Sequence, residues 1–373
     1  MTSSLVNTVV DDFELDYVEM YVRDLDAQIA LWRDSYGFVE VAAGGSPEQG
    51  FRAAVMCQGV IRLVLTEATG EQHPASDYVL AHGDGIANIA LRTRDVRTAF
   101  GQAVENGARA LAEPVEHAEG DVAVSATVSG FGDVVHTLVQ RRKGKSAGLP
   151  ADFRPIPGAD RPTVAEAVAA DGLRLLKIDH FAVCVNVGEL DPMVELYRKS
   201  FGFSETFAER IVVGTQAMLS KVVQSRSGEV TFTILQPDPE ADPGQIDEFL
   251  KNHVGSGVQH VAFAADDVVR SVGALTGRGV EFLVTPNAYY TLLEQRITLS
   301  KHSLVSLRAL NILVDEDHAG QLFQIFARST HPRRTLFFEV IERCGAETFG
   351  SSNIKALYEA VEMERIAKQD QPL

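Results

Sequence analysis

The segment "LLKIDHFAVCV" (residues 175–185) has a counterpart near the start of the chain, "DFELDYVEMYV" (residues 12–22). Both segments alternate apolar side chains behind an acidic residue, the period of two that is typical of a half-buried β-strand. One of the differences between the copies bears on chemistry, because His180 stands in the later strand where Tyr17 stands in the earlier one. Two such similar strands, far apart in the chain, indicate an internal duplication.

The duplication extends along both halves. "GDGIANIALRTRDV" (83–96) aligns with "GSGVQHVAFAADDV" (255–268), and "VHTLVQRR" (135–142) aligns with "LFFEVIERC" (336–344). In each half the first strand is followed by a helical pattern, and further strands come after it. This order predicts an α+β fold of tandem βαβββ modules, arranged as two open, barrel-like domains.

A chain of 373 residues exceeds the usual size of a single hydrophobic core, so two domains are expected. We place the N-terminal repeat domain at 12–142 and the C-terminal domain, which we expect to be catalytic, at 173–373. Residues 143–172 between them are rich in Pro and Gly, as in a linker that crosses the surface. The amphipathic pattern of "SSNIKALYEAVEMERIAKQ" (351–369) predicts a C-terminal helix that covers the mouth of the second domain as a lid.

Composition excludes several classes of function. The net charge of −17, without an extended basic patch, argues against a nucleic-acid partner. The three cysteines are scattered without CxxC spacing, which argues against structural zinc or a disulfide framework and fits a reducing cytoplasm. The sequence contains no apolar run of the ~18 residues that a membrane-spanning helix needs. Its first residues do not show the basic and apolar pattern that is typical of a secretory signal. We therefore expect a cytoplasmic protein without a membrane partner.

The aligned halves differ at three strand positions in a chemically consistent way. At each position the second half carries a metal-ligating side chain and the first half does not. Two imidazoles and one carboxylate form the ligand set that holds non-haem Fe(II) and leaves about three coordination positions open. A lone strand histidine is more often a hydrogen-bonded core residue, but three coincident replacements predict a metal site. They are His180 for Tyr17, His260 for Asn88 and Glu339 for Thr137.

Residues near these three in the sequence are candidates for the surrounding pocket. Gln259 adjoins His260 and is placed to orient a ligand or O₂, while Phe337 shares the strand face of Glu339. The segment "FQIF" (323–326) alternates a polar and an aromatic side chain on one face. On that strand, Gln324 is expected to act in catalysis together with Gln259. The candidates for substrate binding here are Phe326, Phe337, Phe349 and Ile354.

The chain also resembles a known family. The motifs "IDHFA" (178–182), "GVQHVAF" (257–263), "LFQIF" (322–326), "FFEVIER" (337–343) and "FGSSNIKALYEAVE" (349–362) are similar to those of the 4-hydroxyphenylpyruvate dioxygenase group of the vicinal-oxygen-chelate superfamily. The resemblance runs from about residue 13 to 365. It implies Fe(II) inside the C-terminal barrel, with 4-hydroxyphenylpyruvate and O₂ as substrates. It also implies a homo-oligomer, either a dimer or a tetramer.

Within this family, oxidative decarboxylation is followed either by attack on the aromatic ring, which gives homogentisate, or by benzylic hydroxylation, which gives (S)-4-hydroxymandelate. Ring-attacking members carry an aromatic residue where "TFGSSNI" (348–354) places Ile354, and Pro and Asn where "TILQP" (233–237) places Thr233 and Leu235. The resemblance implies that Thr233, Leu235 and Ser220 line the end of the pocket that holds the aromatic ring. These departures predict the benzylic product, with homogentisate formation as the alternative. The resemblance further implies that the benzylic product is used in the biosynthesis of peptide antibiotics.

Two further alternatives remain open at this level. The same three ligands also suit Zn²⁺ in a hydrolase, although the sequence shows no separate general base beside them. A non-catalytic small-molecule binding protein of the same superfamily would be expected to have lost at least one ligand, and all three are present.

Overall fold

The computed structural model describes residues 12–145, 148–158, 172–350, 353 and 355. The first half forms a sheet of nine strands with three α-helices, the first of which continues into a π-helical turn, Leu31–Ser35. The strands are β1 (Glu14–Tyr21), β2 (Val39–Ser46), β3 (Phe51–Gln58), β4 (Ile61–Ala68), β5 (Gly85–Arg92), β6 (Ala110–Glu116), β7 (Val122–Ser129), β8 (Val135–Arg141) and β9 (Arg154–Pro155). The helices are α1 (Leu25–Ala30), α2 (Pro74–His82) and α3 (Val96–Glu105).

Within residues 172–350, the second half forms a sheet of eight strands with five α-helices. The strands are β10 (Leu175–Cys184), β11 (Ser204–Val213), β12 (Gln216–Gln224), β13 (Thr231–Pro237), β14 (Gly257–Ala265), β15 (Leu313–Glu316), β16 (Gln321–Phe326) and β17 (Phe337–Cys344). The helices are α4 (Leu190–Phe201), α5 (Gln245–His253), α6 (Val268–Gly277), α7 (Asn287–Arg296) and α8 (Leu304–Ala309). Among the residues described, no helix is long and apolar enough to cross a membrane.

The two sheets have the same topology. Their strand orders are β6-β7-β8-β5-β1-β4-β3-β2-β9 and, read in the same sense, β15-β16-β17-β14-β10-β13-β12-β11. β1 pairs antiparallel with β5 and parallel with β4, as β10 does with β14 and β13. Tyr17 lies opposite Ala90, and His180 lies opposite Ala262 at the equivalent register. The predicted α+β fold of tandem βαβββ modules is confirmed.

Equivalent helices begin for the same local reason in both halves. The Asp95 carboxylate accepts hydrogen bonds from the amides of Arg97 and Thr98 at the start of α3. The Asp267 carboxylate accepts one from the amide of Arg270 at the start of α6. A short acidic N-cap satisfies amides that have no partner within the helix and typically stabilises it by about 1 kcal/mol. The repeated "DV" therefore marks the same strand-to-helix turn in each module.

The two sheets differ in what fills their concave faces. An apolar cluster fills the N-terminal face, with Val41, Val55 and Val64 from three strands and Leu149 from beyond β8. The C-terminal face carries an apolar cluster together with buried polar groups, including Ser220 and Gln324. The largest core of the molecule lies between the two halves, where Trp32 meets the edge of Phe338 with ring centroids 4.9 Å apart.

Two segments differ from expectation, one in the predicted linker and one in the second half. Residues 154–155 form β9 beside β2, and Leu149 is buried in the N-terminal core, so this part of the predicted linker does not simply cross the surface. The alternation in "RGVEFL" (278–283) predicts a strand. This segment makes only an isolated pairing of Phe282 with Ala327, because α7 and α8 interrupt the strand before β15 resumes it. The predicted lid helix lies outside the described residues, apart from Asn353 and Lys355, which are helical.

Candidate metal centre

Three neighbouring strands of the second sheet bring His180, His260 and Glu339 together. Ala262 of β14 lies opposite both His180 of β10 and Glu339 of β17, and His260 lies two residues before it on the same strand. Because side chains alternate across a strand, all three project to the concave face. The three side chains are buried, and their ligand atoms all lie within 4.8 Å of one another.

The spacing of these atoms suits a metal ion better than a hydrogen-bonded cluster. Glu339 Oε2 lies 3.5 Å from His180 Nε2 and 3.3 Å from His260 Nε2. Two ligands at right angles, each about 2.1 Å from a metal, are separated by roughly 3 Å. A carboxylate that is 1% exposed beside two imidazoles is costly without a cation. The site therefore has the separations and the charge that a divalent ion requires.

A β-bulge places a carboxylate against His180. The pairing of β10 with β14 skips Asp179, so this extra residue turns toward its neighbour. The His180 Nδ1–H donates to Asp179 Oδ1 at 2.9 Å, which leaves the Nε2 lone pair facing Glu339. Although burial raises the pKa of Asp179, the hydrogen bonds from His180 and Arg343 and the Arg343 charge hold it well below its usual range. Asp179 is thus an ionised acceptor for the ligand's second nitrogen.

A second bulge lies beside His260. The same strand pair skips Gln259, whose Oε1 accepts a hydrogen bond from His260 Nδ1–H at 3.3 Å. Burial lowers the pKa of His260, against the opposing effect of the Glu339 carboxylate, and so favours the neutral imidazole that binds metals. Gln259, predicted to orient a ligand or O₂, contacts the side of His260 that is turned away from Glu339.

Glu339 is connected to the C-terminal segment through an amide chain. Gln324 Nε2 donates to Glu339 Oε1 at 3.2 Å, and Asn353 Nδ2 donates to Gln324 Oε1 at 3.1 Å. Gly350 permits this approach, since it has a φ of +68° and a Cβ there would lie 2.4 Å from Gln324 Oε1. The segment after β17 therefore lies directly against the metal-facing side chains.

Aromatic rings enclose the three candidate ligands. Phe337 stacks on His260 with ring centroids 4.8 Å apart, and Phe326 meets the same imidazole edge-on at 6.0 Å. Phe349 meets His180 edge-on at 5.1 Å. The structure thus brings three of the predicted pocket aromatics into contact with the predicted ligands.

The residues expected at the aromatic end lie on β12 and β13. Ser220 is opposite Leu235 in the antiparallel register, and Thr233 is two residues before Leu235 on the same strand. All three are buried, and Thr233 Oγ1 has no hydrogen-bond partner among the described residues. Ile354, the fourth predicted specificity residue, lies outside the residues described.

A second group, made of Asp267, His302 and Glu342, also has metal-like spacing. Its carboxylate is already satisfied, because Glu342 Oε2 accepts from the amide of Val268 and from His302 Nε2, each at 2.8 Å. Lys301 forms an ion pair with the other Glu342 oxygen. An ammonium group in place would repel a cation, so we interpret this group as a structural junction.

The equivalent positions in the first half make a different set of contacts. Asn88 Nδ2 donates to Thr137 Oγ1 at 2.9 Å and to Glu19 Oε2 at 3.1 Å. Burial raises the pKa of Glu19, and Thr66 donates a hydrogen bond to its carboxylate. In the described part of the chain, both groups with metal-like spacing lie in the second half.

Sequence reasoning missed three side chains that hold the site. Asp179 and Arg343 support His180, and Asn353 supports Gln324. The repeat alignment contains a signal for two of them, because Asp16 and Arg141 occupy the matching positions of the first half. The position of Asn353 depends on how the C-terminal segment folds back and has no counterpart in the repeat.

Comparisons with known proteins agree with the duplicated architecture. Residues 8–154 match the family described as "Hydroxyphenylpyruvate dioxygenase, HPPD, N-terminal", and residues 177–325 match "Glyoxalase/Bleomycin resistance protein/Dioxygenase superfamily". The 4-hydroxyphenylpyruvate dioxygenase of Dictyostelium discoideum is 31% identical over 94% of this chain and 97% of its own length.

Solved structures add two further likenesses. A triple mutant of 4-hydroxymandelate synthase from Streptomyces coelicolor is 43% identical, with a TM-score of 0.85, over 95% of this chain and 99% of that one. The Mn(II)-bound glyoxalase from Novosphingobium aromaticivorans is 14% identical over 90% of this chain and 83% of that one, with a TM-score of 0.51, and shares the fold alone.

Proposed function

The chain belongs to the 4-hydroxyphenylpyruvate dioxygenase family, and from that premise we propose that it is an Fe(II)-dependent 4-hydroxymandelate synthase. It would convert 4-hydroxyphenylpyruvate and O₂ to (S)-4-hydroxymandelate and CO₂. The observation that carries the proposal is the meeting of His180, His260 and Glu339 on the concave face of the second module. The likeness to the Streptomyces coelicolor enzyme supports this product.

The residues present fit a ferrous ion. His180 and His260 would bind it through Nε2 and Glu339 through Oε2, the atoms that already face one another. When bound, Fe(II) supplies the redox chemistry for O₂ activation and, with three protein ligands, keeps positions open for an α-keto acid. Gln324 holds the other oxygen of Glu339, which leaves Oε2 directed at the histidines.

The walls of the site fit an aromatic substrate. Phe326, Phe337 and Phe349 surround the ligands with apolar surface, which excludes water from the reacting atoms. Thr233 Oγ1, which is buried and has no partner in the described part of the chain, offers a hydrogen bond to a phenol hydroxyl at the opposite end. A substrate held at both ends would present a defined carbon for oxidation.

The choice of product depends on how the aromatic ring lies between these walls. At the aromatic end of the pocket, Leu235 and Thr233 stand where ring-attacking members carry Asn and Pro, and Leu235 lies opposite Ser220. Such a pocket would let the ring turn so that the benzylic CH₂ is nearest to the metal. A hydroxylation at that carbon gives 4-hydroxymandelate, while attack at the ring carbon gives homogentisate.

Homogentisate formation is the second candidate. Full-length relatives named 4-hydroxyphenylpyruvate dioxygenase, such as that of Dictyostelium discoideum, favour it. It uses the same substrate and the same three ligands. The two candidates therefore differ in product alone.

Product analysis separates them. Metal-free protein is loaded anaerobically with Fe(II), given 4-hydroxyphenylpyruvate and exposed to O₂. We expect 4-hydroxymandelate and CO₂ in equal amounts with the oxygen consumed. Homogentisate as the main product would assign the second candidate, and no oxygen uptake would reject both.

A pair of matched variants tests the assignment of the ligands. His180→Ala is expected to lower iron content and abolish turnover. Tyr17→Phe, at the equivalent position of the first half, is expected to change neither. Loss of iron in both variants would show that iron content responds to a change in either half, and it would not support His180 as a ligand.

A further inference from the structure

Asp179 connects His180 to an arginine on the neighbouring strand. Its Oδ1 accepts from His180 Nδ1 at 2.9 Å and from Arg343 Nη2 at 2.8 Å, while Oδ2 accepts from Arg343 Nε at 2.9 Å. The side chain of Asp179 is 11% exposed and that of Arg343 is 23% exposed. A paired, planar contact of this kind fixes the orientation of the carboxylate, and so of the imidazole bonded to it.

The remaining donor of Arg343 reaches the C-terminal segment. Arg343 Nη1 donates to the carbonyl oxygens of Ala346 at 3.2 Å and Thr348 at 2.6 Å. Its guanidinium lies 4.9 Å from the centre of the Phe349 ring, and the edge of that ring meets His180. One side chain therefore holds the carboxylate behind His180 and the aromatic wall in front of it.

The first half carries the same ion pair without the histidine. Asp16, in the equivalent bulge, accepts from Arg141, whose Nε lies 2.8 Å from Oδ2. Arg141 Nη1 also donates to the carbonyl of Leu149 at 2.5 Å, in the segment that follows its strand. The residue beside Asp16 is Tyr17. The pair is thus a feature of both modules, and the contact with an imidazole belongs to the second alone.

We propose that Asp179, fixed by Arg343, is a positioning residue that orients His180 for metal binding and links this ligand to the segment after β17. The inference rests on the proposed metal site. A carboxylate on the second nitrogen of a ligating histidine fixes the tautomer and increases the basicity of the binding nitrogen. Arg343 adds coupling, because a shift of residues 346–349 would disturb the same guanidinium that holds Asp179.

The duplication provides a matched experiment. Asp179→Asn and Asp16→Asn each remove one carboxylate charge from the equivalent bulge of their half, and each weakens one ion pair. We expect both to lower the thermal stability of the metal-free protein, Asp16→Asn by more because its ion pair is more deeply buried. Only Asp179→Asn is expected to weaken Fe(II) and Co(II) binding, by about 10–100-fold, which is typical for the loss of such a partner.

Arg343→Lys and Arg141→Lys form the second pair. Lysine keeps the charge but cannot hold a carboxylate with two parallel hydrogen bonds while also reaching two carbonyls. We expect Arg343→Lys to weaken Co(II) binding and alter the visible spectrum of the Co(II) protein. Arg141→Lys is expected to leave both unchanged. This pair keeps the test decisive if Asp179→Asn does not fold.

The metal dissociation constants decide the outcome. If the wild-type protein binds one equivalent of metal and Asp179→Asn and Arg343→Lys bind it as tightly as their first-half controls, the positioning role is wrong. If the wild-type protein binds neither Fe(II) nor Co(II), the proposed function itself fails. A selective loss of metal affinity in the second-half variants, with no larger loss of thermal stability than in their first-half controls, supports the inference.

Discussion

The Thr233 hydroxyl is buried without a partner among the described residues. An unpaired hydroxyl in an apolar region costs roughly 1–3 kcal/mol. Proteins retain such groups where a ligand satisfies them. Thr233 is two residues from Leu235 and faces the same concave surface as the candidate metal ligands.

Thr233→Val tests this role of the hydroxyl. The KM for 4-hydroxyphenylpyruvate is expected to rise about 5–10-fold, which corresponds to the loss of one hydrogen bond of about 1 kcal/mol. The KM for phenylpyruvate, which lacks the phenol hydroxyl, should not change. Stability toward urea should be unchanged or slightly increased. Equal changes in both KM values would show that the hydroxyl does not contact the phenol.

At the residue scale, the repeat made the three candidate ligands predictable. Each was visible as a replacement at a matched strand position, and the register places all three on one face. Asp179 was not predicted because alternation along β10 would direct it to the opposite face from His180. The bulge overrides that period, and a bulge has no strong signal in a single sequence.

At the scale of elements, α6 begins at a buried charge. Glu342 accepts a hydrogen bond from the amide of Val268 in the first turn of this helix and is 3% exposed. His302 and Lys301 supply its other contacts. The carboxylate thus joins α6, β17 and the segment before α8; it lies three residues after Glu339 on the same strand, where alternation directs it to the opposite face.

Glu342→Gln should destabilise the fold without affecting the metal site. The amide keeps the shape but loses the charge that pairs with Lys301 and favours a helix N-terminus. Because Lys301 is 42% exposed, we expect a loss of about 1–3 kcal/mol in the free energy of urea unfolding. Glu347→Gln, at an exposed carboxylate, is the control and should change stability by less than about 0.5 kcal/mol. A loss of bound iron in Glu342→Gln would contradict the structural interpretation.

Most elements were predictable from the period of two and the repeated "DV" helix starts. The interrupted strand between residues 278 and 316 was not. The segment "RGVEFL" has strand-like alternation, but its partner on β16 pairs mainly with β15, which follows the inserted α7 and α8. Local propensity cannot show which of the two segments forms the backbone hydrogen bonds along the edge of β16.

At the scale of the whole molecule, buried histidines lie where the two halves meet. His136 Nε2 on β8 lies 2.7 Å from Tyr197 Oη on α4. His253 on α5 stacks on His82 of α2 with ring centroids 4.4 Å apart. Burial lowers the pKa of His136 and that of His253 to about 4. Both are therefore neutral in the folded protein near pH 6.

Acid should loosen this interface. Between about pH 6.5 and pH 4 the unfolded chain binds protons at these histidines and the folded protein does not, so stability falls as the pH falls. At pH 4, each histidine has lowered the free energy of unfolding by about 3 kcal/mol relative to pH 7. Urea midpoints measured from pH 7 to pH 4 should decrease, and His136→Gln should show a shallower decrease. A midpoint that is independent of pH, or an unchanged slope in His136→Gln, would contradict the prediction.

The duplication explains why the two halves can share a fold and differ in chemistry. The first concave face is filled by an apolar cluster that includes Leu149 from beyond its last strand. The second retains polar groups around Glu339. Sequence alone predicted which half carries the metal-type residues. It did not predict that the segment before β9 helps to fill the other half, because Pro- and Gly-rich composition is typical of an exposed linker.

The central claim is that one metal ion binds in the second module, between His180, His260 and Glu339. The most direct measurement is an anomalous difference map from crystals grown anaerobically with Fe(II), recorded at the iron absorption edge. We predict a single strong peak per chain, about 2.0–2.2 Å from His180 Nε2, His260 Nε2 and Glu339 Oε2. A peak between Asp267, His302 and Glu342, or no peak near the three predicted ligands, would contradict the account.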